Sequence, residues 1–365
     1  MNDQLPEITP DRPRVIIAQR VIDKIIQGAL LYLEPETGEA MIGLVMPQNG
    51  RFEPDIYVLD TVSAGEHAVR EWGLFEQGDD WQGDVLQWLH VNWEAFRDLR
   101  RSSYGKAVAA KWNAPLTHVG DWHKHPGDMT FTSGGDLRTA RSLISDAETP
   151  VEHLVAPIVT MYPLNQKADV IETQPELAAV EPPAPKAKEK LPANVMIKDL
   201  EDKGWQIRID FYYISKRRQN FVPITPVVWT NDRLPGLPAI AWYLEHPKRF
   251  DQERSLLQEA GYAVDIVRWD ADGRPPYEIC FSIYKPGSQQ VIILVTTVDY
   301  PNQMPAIRLA PLVNVAEGED IFEKLYDASQ SVPMTQMPEW SWDSKRTLIE
   351  LVWHIEKAAK KDAKS

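Results

Sequence analysis

The chain has 365 residues, a formal net charge of -14 at pH 7, and 43% hydrophobic and 25% charged residues. This length is enough for two domains. The proportions of hydrophobic and charged residues are typical of a protein with buried hydrophobic cores. The acidic charge argues against general nucleic-acid binding, which needs a cationic surface. We expect no membrane association, because no apolar run approaches a membrane span and the first residues lack the features of a signal peptide. The single cysteine, Cys280, excludes an internal disulfide, so we expect a cytoplasmic protein.

Hydrophobic periodicity predicts the first elements of the chain. A strand over residues 14–19 is followed by a helix whose apolar residues repeat at helical spacing from Ile22 to Leu33. Strands are predicted over residues 41–46 and 57–62. A longer helix is predicted by an apolar stripe of Val85, Leu86, Leu89, Trp93 and Phe96. We expect the tryptophans of this region to pack against the sheet, and the alternative is that they line a substrate groove: Trp81, Trp88 and Trp93.

The next segment carries three residues of the types that bind zinc, His123, His125 and Asp136, and one hydroxyl, that of Ser133. If residues 118–124 form a strand that runs into His125, both imidazoles point to one face of the sheet. Residues 132–136 then open a helix with Leu137, Ala140 and Ile144 on one side, which returns Asp136 over the strand end. Two imidazoles and one carboxylate leave the fourth position of a tetrahedral zinc ion free for water, as a catalytic site requires.

A simpler interpretation of the same residues remains open. The pattern from Ser133 to Asp136 is also that of a capping box at a helix start, which needs no metal. Two histidines at this spacing are also common on surfaces. With Pro126 and the serine and aspartate at this spacing, we predict a Zn2+ site with His123, His125 and Asp136 as ligands.

The whole pattern resembles the signature of JAMM (JAB/MPN) metalloproteases, in its bacterial form. Residues 120–127, GDWHKHPG, resemble that family's strand-end segment, usually written G-E-W-H-x-H-P-G. Residues 36–43, ETGEAMIG, match its upstream E-T-G-G-x-L-x-G, which places Glu36 in the catalytic position. Glu34 and Glu39 are rivals, but only Glu36 fits the spacing to Gly43. Glu39 stands where the family has its second glycine, and without the downstream motif Glu36 would be interpreted as a surface turn residue.

The resemblance implies an α/β (α+β) fold, a JAMM/cytidine-deaminase-like mixed sheet with flanking helices. It implies cleavage of an isopeptide or peptide bond after the C-terminal tail of a ubiquitin-like protein, in deconjugation or precursor maturation. Zinc lowers the pKa of its bound water to about 7. Glu36 would accept the water's proton as general base, and Ser133 would donate a hydrogen bond to the oxyanion. The expected partners are a ubiquitin-like substrate and the activating and conjugating enzymes of the same system.

The later part of the first domain contains a low-hydrophobicity segment. A core strand is predicted over residues 155–161, and the apolar pattern then disappears from residue 165 to 194, where Pro, Ala and Lys dominate. Strands are again predicted over residues 205–214 and 221–228. We predict a flexible insertion inside a first domain of residues 10–232, and the alternative is a linker between domains.

The remaining residues, 240–362, predict a second α+β domain. A helix ending near Gly261 is followed by strands over residues 277–283 and 291–298. Residues 299–307 resemble the Y-P-x-x-P-P segment of the ubiquitin-conjugating enzyme fold, with Met304 in place of the first proline of the pair. The segment EWSW at 339–342, followed by an apolar helix from Leu348, resembles that fold's later tryptophan and crossover helix.

This second domain lacks the nucleophile of the fold that it resembles. The catalytic cysteine would lie between Pro311 and Trp340, where the sequence has none, and Cys280 is better interpreted as a small buried hydrophobe. We expect a non-catalytic recognition domain, and the alternative is a structural appendage. For the whole protein, we predict a zinc-dependent isopeptidase. The alternatives are a scaffold without zinc and a zinc hydrolase of small amides.

Overall fold

The computed structural model describes residues 12–104, 112–147, 151–164, 191–270, 277–333 and 340–362. The chain divides into two compact units, Met1–Leu86 with Lys111–Leu237 and Gln87–Ala110 with Pro238–Ser365. The sequence prediction placed residues 87–104 in the first domain, whereas they pack with the second unit. Most of the predicted insertion at 165–194, residues 165–190, lies outside the described residues. The strands that follow it belong to the first unit.

The elements of the first unit are, in chain order, β1 (Arg14–Ala18), α1 (Gln19–Leu31), β2 (Thr37–Met46), β3 (Asp55–Ser63), β4 (Val69–Glu71), β5 (Leu74–Glu76), the start of α2 (Asp80–Tyr104), β6 (Thr117–Lys124), α3 (Gly134–Ser145), β7 (His153–Pro163), β8 (Val195–Leu200), β9 (Trp205–Ser215), β10 (Arg218–Pro223), β11 (Pro226–Trp229) and a 3-10 turn at Asn231–Arg233. Apart from the short hairpin β4–β5, the strands form one mixed sheet of order β10-β9-β7-β6-β2-β3-β1-β11, in which β8 also pairs with β9. The pairs β1–β3, β1–β11 and β6–β7 are parallel.

This sheet is curled, because its two edges are joined by a very short connection. β10 lies at one edge and β11 at the other, yet only Ile224 and Thr225 separate them in sequence. Three residue steps span at most about 11 Å, so the two edges must approach each other. The predicted single strand over 221–228 is therefore wrong. Pro223 and Pro226, which cannot donate a backbone hydrogen bond, flank the break.

Helix α1 covers the sheet with one apolar face. Its buried residues include Val21, Ile22, Ile25 and Ala29, which follow helical spacing and pack on β1, β2 and β3. Burying side chains of this kind stabilises a fold by about 1.5–3 kcal/mol each. Gly28 lets the buried indole of Trp122 reach the helix, since a Cβ at residue 28 would lie 2.7 Å from that ring.

The second unit is built from the rest of α2, a short helix α4 (Trp242–Glu245), α5 (Pro247–Glu259), β12 (Ala263–Trp269), β13 (Glu278–Tyr284), β14 (Gln290–Thr296), β15 (Ala306–Pro311), α6 (Ile321–Ala328), β16 (Gln330–Ser331) and α7 (Leu348–Asp362). Its five strands pair in chain order and are all antiparallel. Cys280, on β13, lies in a core with Phe322 of α6 and with three residues of β14, which are Val291, Ile293 and Val295.

The other face of this sheet carries an aromatic and polar core. The ring of Trp242 lies 4.5 Å from that of Tyr300 and 6.3 Å from that of Phe281. Glu253 is fully buried and accepts hydrogen bonds from the backbone N–H of Leu348 at 2.7 Å and from the Tyr300 hydroxyl. These contacts join α5 to the start of α7.

The protein belongs to the α+β class, as the sequence predicted. Among the described residues, no helix combines the length and the apolarity that crossing a membrane requires.

Candidate metal centre

Strand β6 brings both histidines of the predicted motif to the same place. The strand ends at Lys124. The N–H of the next residue, His125, donates to the carbonyl of Val159 at 2.9 Å, and this bond holds His125 against β7. On the other side, His123 pairs with Gly38 of β2. A Cβ at residue 38 would lie 2.3 Å from the carbonyl oxygen of Trp122, so glycine permits this close approach.

The predicted ligand atoms converge. Among the described residues, His123, His125 and Asp136 form a group whose ligand atoms all lie within 4.8 Å of one another. The two Nε2 atoms are 2.8 Å apart, and the Asp136 oxygens lie 3.3 Å from His123 Nε2 and 3.5 Å from His125 Nε2. Ligands of a tetrahedral zinc ion, each about 2.0–2.1 Å from the metal, lie about 3.3 Å apart. The donor set and the two distances to Asp136 therefore fit zinc, whereas the two imidazole Nε2 atoms lie closer together than zinc ligands do.

Asp136 reaches this position because α3 begins directly in front of the histidines. Ser133 is the N-cap, its Oγ accepts the N–H of Asp136 at 3.2 Å, and the Asp136 carboxylate accepts the N–H of Ser133. The capping box expected as an alternative is thus present, and the same aspartate also faces both histidines. Burial acts to raise the pKa of Asp136, but hydrogen bonds from His123 and His125 outweigh it and hold the pKa far below its usual range.

Glu36 is buried beside the ligands. It is 9% exposed, and with His123 and Asp136 it lines one cavity of about 410 Å³. Burial raises the pKa of Glu36, and the nearby His125 and His123 offset part of that rise. A raised carboxylate pKa suits a group that must take up and release a proton near neutral pH.

The two rival glutamates lie elsewhere. Glu34 is exposed. The carboxylate of Glu39 points into the interior of the first unit. There it accepts hydrogen bonds from Thr61 Oγ1 and, at 3.3 Å, from Trp122 Nε1. Burial raises the pKa of Glu39 as well, although these two hydrogen bonds oppose the shift. Of the three glutamates, Glu36 is the one that lines the cavity with the ligands.

One wall of the cavity is apolar. Successive turns of α3 contribute Asp136, Thr139, Ala140 and Leu143, which share a helix face. The lining also includes Leu154 and Ala156 of β7, Phe221 of β10, and Phe75, Glu76 and Gln77 in or next to β5. The apolar side that the sequence predicted, Leu137, Ala140 and Ile144, does lie in one packed cluster, but the prediction did not include Thr139 and Leu143, which line the cavity. Thr139 and Leu143 lie three and seven residues after Asp136, and this helical spacing could have identified them as neighbours of Asp136 on one helix face.

Lys124, between the two histidines, is also buried. It is 3% exposed, and its ammonium donates to the carbonyls of Leu33, at 2.8 Å, and Tyr32. Burial lowers the pKa of Lys124 to about 8, against the opposing charges of Glu34 and Glu36. The sequence motif gave this lysine no role. The alternation of side chains along β6 places it on the face opposite the histidines.

The tryptophans of α2 do not belong to this site. Trp88 and Trp93 are buried within the second unit, where Trp88 Nε1 donates to the carbonyl of Ala239 at 2.9 Å. The sequence prediction expected these side chains to pack on the first sheet, whereas the segment that carries them belongs to the second unit.

No protein-family model and no curated protein matches this chain. Among solved structures, the chain is similar to a protein of Desulfitobacterium hafniense whose solution structure was determined by a structural genomics consortium. The two share 12% sequence identity over 59% of this chain and 93% of the other, with a TM-score of 0.27. A likeness of this size carries no argument about fold or function, so the site has to be interpreted from its own residues.

Proposed function

We propose that this protein is a zinc-dependent isopeptidase or tail-processing protease of the JAMM (JAB/MPN) type that acts on a ubiquitin-like protein. One observation carries the proposal: the three ligand atoms of His123, His125 and Asp136 converge, and Glu36 lines the same cavity. Glu36 lies 87 positions before His123 in the chain, yet both side chains line the same cavity, which supports the proposed role of Glu36 as general base.

A zinc ion held by these three side chains would activate a water molecule and polarise the scissile carbonyl. Glu36 accepts one proton of the attacking water while the oxygen bonds to the carbonyl carbon. The same carboxyl then delivers the proton to the leaving nitrogen as the C–N bond breaks, which yields a carboxylate and an amine. Ser133 is not among the residues that line the cavity, but it caps the helix that carries Asp136, and its Oγ accepts the N–H of Asp136. That bond leaves the hydroxyl hydrogen of Ser133 unused, and in this proposal it donates to the oxygen of the reacting carbonyl.

The cavity supports a substrate with an extended backbone and small or apolar side chains. Its lining includes Ala140, Leu143, Ala156 and Phe221 together with His123 and Asp136, and residues of the hairpin strand β5 also line it. An exposed strand edge can pair with an extended chain. These features suit a protein tail more than a compact small amide, which would use little of the apolar wall.

For the second unit, we propose a ubiquitin-conjugating-enzyme-like module without catalytic activity. Its support is the order of elements: helix α5, an antiparallel meander with the Tyr300-Pro301 segment between β14 and β15, and the final helix α7. Trp342 Nε1 donates to the carbonyl of Pro301 at 2.8 Å, which ties the tryptophan segment to the Y-P segment. The single cysteine is fully buried, so the unit offers no thiol for a thioester. Its proposed role is recognition of the modifier or of a conjugating enzyme.

The proposal is tested with three fluorogenic substrates of increasing size: an aminocoumarin amide of glycine, of a peptide with the last residues of ubiquitin, and of full-length ubiquitin. Each is assayed with the full chain as purified, after chelation and after zinc is restored. We expect zinc-dependent cleavage that increases with the size of the substrate. Cleavage of the glycine amide alone would favour a small-amide hydrolase, and a protein that neither retains zinc nor cleaves any of them would favour the scaffold without zinc.

A further inference from the structure

Lys124 lies between the two candidate histidine ligands in sequence, yet its side chain lies on the opposite face of the sheet. Side chains alternate along a strand, so His123 faces the cavity that it lines, while the ammonium of Lys124 reaches the chain directly after α1. His125, one residue past the end of the strand, returns to the side of His123, since their Nε2 atoms lie 2.8 Å apart. Across the pair β2–β6, Lys124 is the register partner of Thr37, the residue that follows Glu36. The lysine is therefore adjacent both to the metal ligands in sequence and to the general base across the sheet.

The ammonium of Lys124 is bound by the chain that leads to Glu36. Its acceptors are the carbonyl oxygens of Tyr32 and Leu33, which directly follow the end of α1. The last turn of that helix, residues 28–31, is Gly-Ala-Leu-Leu and has no basic side chain of its own. A cation from β6 thus satisfies carbonyls that a helix end leaves without partners. Burying an ammonium is costly unless it is hydrogen-bonded, so this arrangement is specific.

The same connection is held on another side by Arg70. Its guanidinium lies 4.5 Å from the centre of the Tyr32 ring, and its Nε donates to Thr37 Oγ1 at 3.3 Å. Glu36 itself donates its backbone N–H to the carbonyl of Glu71 at 2.9 Å. The contacts to Arg70 and Glu71 join the connection to the hairpin β4–β5, whereas the hydrogen bonds of Lys124 join it to the strand that carries the ligands.

We infer that Lys124 is a positioning residue that fixes Glu36 relative to His123 and His125. The inference rests on the proposed function for its catalytic consequence. Rigid spacing matters here, because a displacement of about 1 Å at a reacting group can lower a rate by about a hundredfold. Lys124 touches neither substrate nor metal. It acts through the segment from Tyr32 to Glu36.

The first test needs no activity and no substrate. Hydrogen exchange of the peptide spanning residues 32–38 is measured in the zinc-loaded full chain for the wild type, Lys124→Met and Lys24→Met. Lys24 is the matched control, since it is a lysine of α1 that pairs with Asp60 at 2.7 Å. We expect about tenfold to hundredfold faster exchange in Lys124→Met, as for loss of hydrogen bonds from a charged donor. Lys24→Met should exchange in this peptide as the wild type does.

The second test separates positioning from a general structural role. With the ubiquitin aminocoumarin amide, Lys124→Met should lose about tenfold to hundredfold in kcat with little change in KM and with zinc still bound. In a Glu36→Gln background, the same substitution should add no further loss, because the group that it positions is already absent. A merely structural role would lower the rate by the same factor in both backgrounds.

Unchanged exchange in residues 32–38 of Lys124→Met would overturn the inference, as would an equal loss of rate in both backgrounds. If Lys124→Met does not fold, Lys124→Gln carries the same tests, since it keeps a shorter neutral donor, and it should give intermediate values. A wild type that binds zinc but does not cleave would count against the proposed function alone. The exchange measurement would still decide whether Lys124 holds the segment.

Discussion

The Nδ1 atom of His125 lies 3.1 Å from the carbonyl oxygen of Met129. A carbonyl oxygen only accepts hydrogen bonds, so Nδ1 carries the proton and the lone pair of a neutral ring lies on Nε2. Nε2 is the atom that faces His123 and Asp136. A backbone carbonyl thus sets the tautomer that metal binding requires, as outer hydrogen bonds commonly do in metal sites.

This arrangement predicts one zinc ion per chain in protein purified without chelators, bound by His123, His125 and Asp136. His123→Ala should lose the metal, since two remaining ligands hold zinc poorly. His153→Ala is the matched control, because His153 lies on β7 and interacts with Tyr213 rather than with the ligands. Elemental analysis of the three proteins makes the comparison, and full occupancy in His123→Ala would contradict the assignment.

Ser133 should contribute to both stability and rate, and the two contributions can be separated. Ser133→Ala should destabilise the protein by about 0.5–2 kcal/mol through the lost helix cap. It should also lower turnover by about two to three orders of magnitude through the lost oxyanion donor. Ser133→Gly lacks the hydroxyl but costs only a few tenths of a kcal/mol as an N-cap. If Ser133→Gly cleaves at the rate of the wild type, Ser133 is a helix cap alone.

Cys280 should be chemically inert in the folded protein. It is fully buried on β13, and burial raises the pKa of its thiol to about 12. We expect no reaction with a thiol reagent until the second unit unfolds. The signal is unambiguous because the chain has one cysteine. Cys280→Ala should leave zinc content and cleavage unchanged, whereas a modifier attached to Cys280 in a thiol-sensitive bond would contradict the non-catalytic assignment of this unit.

The convergence of the candidate metal ligands could be predicted from the sequence because they are local. His123, His125 and Asp136 fall within 14 consecutive residues, so strand alternation and one helix start are enough to bring them together. Glu36 is distant in sequence. Its selection over Glu39 depended on a family resemblance, since periodicity alone does not say how the turn before β2 is oriented.

The errors in the predicted fold have a common physical origin. The apolar stripe of α2 shows that one helix face is buried, but not which surface covers it, and Trp88 and Trp93 pack within the second unit. The break between β10 and β11 depends on the curling of the whole sheet, which local propensity does not encode. Pro226, which cannot donate a backbone hydrogen bond, nevertheless argues from the sequence against one continuous strand.

The central claim is that Glu36 acts as general base at a zinc centre, and one comparison tests it most directly. Zinc content and cleavage of the ubiquitin aminocoumarin amide are measured together for the wild type, Glu36→Gln and Glu39→Gln. We predict that Glu36→Gln retains its zinc and loses about two to four orders of magnitude in turnover. Glu39→Gln should retain both zinc and turnover. Normal cleavage by Glu36→Gln, with activity lost instead in Glu39→Gln, would contradict the account.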